Sequence, residues 1–120
     1  MLYIGGKNTM IQKIKFKEEF HEPIINMAKT QTMRMPQSRI DVVPGDKAVA
    51  VFENKPDLLL KITDVGYKAF KSINDDDAER EGFTSADELK EVLLDIYSEY
   101  YVQELSRFYF YKFEYLGVRL

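Results

Sequence analysis

Apolar and polar positions alternate from Met10 to Phe16. Ile14 and Phe16 fall on one face and Lys13, Lys15 and Lys17 on the other, which is the two-residue period of a half-buried strand. Phe20, Ile24 and Met27 recur at helical spacing, and Pro23 is tolerable only in a first turn, so a short helix is expected over 20–27. Thr30 to Met35 reads as a second strand, stopped by Pro36 and followed by a polar loop, PQSRID. Val43-Pro44-Gly45-Asp46 is a turn signal, with proline presetting φ and glycine supplying a positive one. From Lys47 to Glu53, Ala48, Ala50 and Phe52 share one face and Val49 and Val51 the other, so this strand is buried on both sides. The turn Asn54-Lys55-Pro56-Asp57 joins it to Leu58–Val65, which predicts an antiparallel hairpin. The small side chains of Ala48 and Ala50 suit the tight interior of a small barrel.

In the second half, Asn74-Asp75-Asp76-Asp77 opens a short helix, where carboxylates cap free amides and complement the dipole. Thr84-Ser85-Ala86-Asp87-Glu88 is a capping-box start, followed by Leu89, Val92, Leu93, Ile96 and Tyr97 on one helical face. Phe108 to Leu116 is a last strand. Tyr109, Tyr111, Phe113 and Tyr115 lie on one side, and Phe108 and Phe110 share the other with Lys112 and Glu114. Such a stripe is a core layer in most folds, and a base-stacking platform in some nucleic-acid binders. The elements add up to an α+β fold, a small β-barrel of five or six mostly antiparallel strands carrying two main helices.

Composition narrows the setting. The 120 residues suffice for one domain, 1–120, and 45% hydrophobic with 31% charged residues is the balance of a folded chain. Aliphatic runs such as Leu58-Leu59-Leu60 fall far short of the roughly 20 residues that cross a bilayer, and MLYIGGKNTM lacks the pattern of a secretory signal. A cytoplasmic address and no membrane partner are expected. With no cysteine, disulfides, thiol chemistry and cysteine-based zinc sites are excluded. His21 is the only histidine, and three successive Asp lack the spaced ligands of a calcium loop, so no metal is expected. A net charge of −3 argues against long polyanions as main ligands. The Lys13, Lys15, Lys17 face reads as solvated or as an edge that discourages strand pairing.

The candidate chemistry lies in NMAKTQTMRMPQSR, where Lys29, Thr32 and Arg34 form a K-x-x-T-x-R run, answered by Glu81 in AEREGFTSADELKEVL. A threonine hydroxyl is inert until a neighbouring base takes its proton, and Lys29 and Glu81 are the candidate neighbours. On a strand, Thr30, Thr32 and Arg34 share a face, so Lys29 joins them only if the chain passes from helix to strand at this point. The same residues are also ordinary strand and helix-end choices.

The K-x-x-T-x-R run after a short helix, the PGD turn before a Val-rich strand and the E-G-F-T-S-A-D-E-L-K-E-V helix start together resemble the ASCH domain, a small β-barrel family related to PUA domains. The likeness runs from the first strand to Phe113, nearest to the small branch of amidohydrolases acting on N4-acetylcytidine. It implies Lys29, Thr32 and Glu81 as the catalytic set and no cofactor or metal. Thr32 would attack the acyl carbon, water would later release acetate, and Arg34 would bind the pyrimidine carbonyl or assist the oxyanion. Either Lys29 or Glu81 is then the base. The family pattern carries glycine two residues before the lysine, where this chain has Met27, and the chain has a few more N-terminal residues than the shortest members. The resemblance also implies alternatives: an RNA-binding or RNA-processing module without small-molecule turnover, or a ligand sensor that keeps the pocket. The expected partners are a nucleoside or base and, weakly, RNA, with the chain a monomer or weak dimer.

Overall fold

The computed structural model describes residues 11–119. Met10, the expected start of the first strand, lies outside them. In chain order the elements are β1 (Gln12–Lys15), α1 (His21–Ile25), β2 (Gln31–Arg34), β3 (Lys47–Val51), β4 (Leu58–Ala69), α2 (Asp75–Glu81), α3 (Ala86–Ile96) and β5 (Arg107–Val118). Single 3-10 turns precede α1, follow β2 and follow β4.

Among the described residues the five strands form one mixed sheet in the order β1-β3-β4-β5-β2. β1 lies parallel to β3, and the β3/β4, β4/β5 and β5/β2 pairs are antiparallel. The sheet curls into a half-barrel because β4 and β5 are each 12 residues long and β4 is broken by irregularities at Leu59/Leu60 and Ile62/Asp64. Such bulges increase local twist and bend a strand. The edge strands β1 and β2 come together across the open side, where Arg34 Nη2 donates to the Lys15 carbonyl at 2.8 Å.

Two apolar layers hold the sheet. The inner one joins Ile14, Phe16, Ile24, Ala48, Ala50, Phe52, Leu58, Leu60, Ile62, Tyr111 and Phe113, and fills the curl. The expected inward residues of β1 and the small alanines of β3 are in it. The outer layer packs α2 and α3 on the other face through Met33, Met35, Ile73, Ala78, Leu89, Leu93, Tyr97 and Phe108. β5 supplies both layers, so its aromatic stripe is largely core.

Three features depart from the pattern reading. The helix expected over 20–27 is a 3-10 turn running into five α-helical residues, because Met27 adopts φ +64° and turns the chain out of the helix. β4 continues past Val65 to Ala69. Gly66 lets the chain pass beneath Phe110, where a Cβ would sit 2.5 Å from the ring. At α3 the cap is Ser85, which accepts from Glu88 N, while Glu88 turns its carboxylate to Thr84 N and Oγ1 instead of closing the box.

Candidate functional site

The segment between α1 and β2 is fixed by its backbone. Lys29 N donates to the Pro23 carbonyl, Thr30 N to the Arg80 carbonyl at 2.7 Å, and Phe113 N to the Thr30 carbonyl. The helix-to-strand change thus falls between Ile25 and Gln31, where Lys29 needs it in order to share a site with Thr32. α2 meets this segment from the other side. Asn74 and Asp77 cap its start reciprocally, and Gly82 ends it in the left-handed conformation at φ +92°, with space for a Cβ but only 3.7 Å from Lys29 Cβ. Glu81 is therefore delivered next to Lys29 by the last turn of a doubly capped helix.

The result is a buried ion pair. Lys29 Nζ lies 3.2 Å from Glu81 Oε1 and donates to the Glu81 carbonyl at 3.1 Å, with the two residues 3% and 4% exposed. The ammonium also sits 4.6 Å from the centre of the Phe20 ring. Glu81 Oε2 is buried with no hydrogen-bond partner. Burial pushes the Glu81 carboxyl above its ordinary range, against the pull of the Lys29 ammonium.

Thr32 is 6% exposed and stands opposite Tyr111, a member of the inner layer. Its Oγ1 accepts from Arg34 Nε at 3.5 Å, at the outer limit of a hydrogen bond. Arg34 lies over the Phe16 ring as well as bridging to β1. Burial lowers its pKa, while Tyr97, Glu81 and Tyr111 favour the charged form.

Lys29, Thr32, Arg34 and Glu81 all line one cleft of about 1170 Å³ between the β1 end, β2 and α3. Lys15 and Lys17 stand at its polar side, and Leu93, Ile96 and Tyr97 of the α3 region form an apolar wall. The four residues singled out from the sequence are therefore brought together. Phe20 also lines the cleft and was not anticipated there, nor were Gln31 and Asp77, which stand outside its lining. Gln31 is fully buried and donates from Nε2 to Asp77 Oδ1 at 3.3 Å, and Asp77 Oδ2 in turn pairs with Lys68 at 2.8 Å. The signal for Gln31 was its two-residue spacing from Lys29 on a strand face that otherwise runs into Met33 and Met35.

Other candidates resolve as structural. His21 Nε2 lies 3.1 Å from the Pro56 carbonyl, and its ring packs edge-on against Phe52. Of the Asp run, Asp77 caps α2, Asp75 accepts from Ala86 N, and Asp76 pairs with Arg80. Among the described residues no group of three or more His, Cys, Asp or Glu is placed to hold a metal ion, and no helix is long and apolar enough to cross a membrane.

Comparison with known families and with curated proteins finds no match for this chain. Solved structures do match. A protein of the DUF984 family from Enterococcus faecalis superposes with a TM-score of 0.72 at 14% identity, covering 93% of this chain and 80% of its own. An ASCH domain from Lactobacillus crispatus gives 0.66 at 17% identity, covering 78% and 68%. A Pyrococcus furiosus protein gives 0.61 at 23% identity over 89% and 98%. At these identities the likeness establishes the fold: the chain has an ASCH-like architecture.

Proposed function

We propose that this chain is an amidohydrolase of the ASCH type that removes the acetyl group from N4-acetylcytidine or a related N-acylated pyrimidine. The observation that carries this reading is the Lys29–Glu81 ion pair, buried in the same cleft as the Thr32 hydroxyl. Desolvating two charges costs more than a pair of this kind returns in stability, so such a pair in a cleft points to chemistry.

In the proposed mechanism Glu81 and Lys29 act together through their 3.2 Å contact. The Glu81 carboxylate, 3.2 Å from Lys29 Nζ, takes a proton from it and leaves the amine free to act as base. That amine takes the Thr32 proton as Oγ1 bonds to the acyl carbon. The tetrahedral intermediate collapses by breaking the C–N bond, and the proton goes to the departing exocyclic amine. Water then adds to the Thr32 ester, releasing acetate and restoring the hydroxyl. Arg34, beside Thr32, stabilises the oxyanion or holds the pyrimidine carbonyl. Neither cofactor nor metal enters the scheme.

A panel of N4-acylated cytosines, followed by absorbance and mass spectrometry, tests the reading. Free cytosine or cytidine should appear with the wild type and not with Thr32→Ala, while unchanged turnover in that variant removes Thr32 as nucleophile.

A second reading is an RNA-binding or RNA-processing module, and one surface favours it. Arg107 lies 4.0 Å over the exposed Tyr67 ring and Arg39 5.6 Å over Tyr109, outside the cleft, which gives the acidic chain a local cation–aromatic patch. RNA binding that survives elevated salt, without acylcytosine turnover, would select it.

A further inference from the structure

Gln31 has no part in the mechanism above, yet it is a fully buried amide beside its central carboxylate. Asp77 and Glu81 are four residues apart on α2 and so present their side chains to the same neighbour. Gln31 meets both. One Nε2 hydrogen goes to Asp77 Oδ1 at 3.3 Å, and the other is unspent among the described contacts. Glu81 Oε2 and Gln31 Oε1 are both buried without a partner. Gln31 favours the ionised form of Glu81, and Glu81 Oε2 is left as a buried acceptor with room for one more donor. Asp77 is held in turn by Lys68 Nζ at 2.8 Å and by Asn74 N at 3.0 Å.

We propose that Gln31 is a positioning residue for the reaction: its carboxamide, anchored on Asp77, donates its second N–H to Glu81 Oε2 and so fixes the orientation and charge of the carboxylate that serves Lys29. The proposal rests on the amidohydrolase reading for its catalytic meaning, but not for the contact itself. An unpaired buried acceptor is costly, and the unspent N–H of Gln31 is the donor at hand. The charged groups around Glu81 are Lys29 from the α1–β2 segment, Arg34 from β2, Asp77 from α2 and, through Asp77, Lys68 from β4. Lys29 and Gln31 favour its ionised form and Asp77 opposes it. Gln31 thereby lets two carboxylates one helical turn apart stand together.

The test is a titration of the Glu81 carboxyl by carbon-13 NMR, assigned with Glu81→Gln, alongside the pH profile of kcat on N4-acetylcytidine. Wild type is compared with Gln31→Met, Gln31→Asn and Asp77→Asn. In Gln31→Met the Glu81 midpoint moves to higher pH and turnover at the acid end falls about tenfold, the scale of one lost hydrogen bond to a charged group. Asp77→Asn moves the midpoint the other way. If Gln31→Met fails to fold, Gln31→Asn, which withdraws the amide by one methylene, gives the same upward shift. An unchanged Glu81 midpoint in the folded Gln31 variants overturns the proposal. Midpoints that shift in a protein with no turnover leave the Gln31 contact standing and overturn the amidohydrolase reading instead.

Discussion

Met27 is the residue whose conformation costs most for what it replaces. A side chain at φ +64° is strained by roughly 1 kcal/mol, and Met27 is 54% exposed, so little packing offsets it. The glycine that the ASCH pattern puts here adopts that φ freely, so Met27→Gly should raise stability by about 0.5 kcal/mol after the flexibility of glycine in the unfolded chain is deducted. Thermal unfolding checks this, and a lower Tm would show that the turn is held by the methionine itself. Asp77 gives a pH signature. Burial works against its charge, but hydrogen bonds from Lys68, Asn74 and Gln31 outweigh it and hold the carboxyl below its ordinary range. Its contribution is therefore complete above the unfolded value of about 3.9 and is lost as pH falls through the lower folded one. Glu81 runs opposite: its carboxyl is raised, so what it contributes is complete at acid pH and lost as pH rises through the folded value. Unfolding measured from pH 6 downward should show a smaller acid loss in Asp77→Asn than in wild type, and parallel curves would contradict this. At this scale the shared cleft of Lys29, Thr32, Arg34 and Glu81 was legible because polar side chains at fixed spacing can be read from a string of residues. Gln31 and the second role of Asp77 were not, because their meaning lies in a contact between positions 46 residues apart.

The element that makes the site is α2. Seven residues form no stable helix alone, so its two caps and its packing on β2 decide where Glu81 sits. Asn74→Ala removes the N-cap and should cost about 1 kcal/mol. Gly82→Ala forces a side chain into the left-handed C-cap and should cost a similar amount, while lowering turnover more than stability, because it displaces the residue next to Glu81. Denaturant unfolding and kcat measured together separate the two effects, and a Gly82→Ala variant with the full kcat of the wild type would show that the cap does not position Glu81. Caps, turns and the β3/β4 hairpin were readable because their signals are local. The true length of β4 was not, since only the ring of Phe110 lying against Gly66 explains why the strand continues. The early end of α1 was not legible either, because Met27 fits the helical spacing and only its φ of +64° shows the turn.

At the scale of the molecule, the half-barrel, its bridge from Arg34 to Lys15 and the helical layer converge on one cleft, while the net charge of −3 works against polyanions. Single-stranded RNA should accordingly bind weakly, with an affinity that falls steeply as salt is raised. Binding that persists at elevated salt would favour the RNA-module reading. The central claim is that the buried Lys29–Glu81 pair activates Thr32, and it is tested most directly by turnover of N4-acetylcytidine in wild type and Lys29→Arg. Arginine keeps the positive charge but does not give up its proton in a protein. The account predicts release of acetate and cytidine by the wild type and near-complete loss in folded Lys29→Arg, and substantial activity in the arginine variant would contradict it.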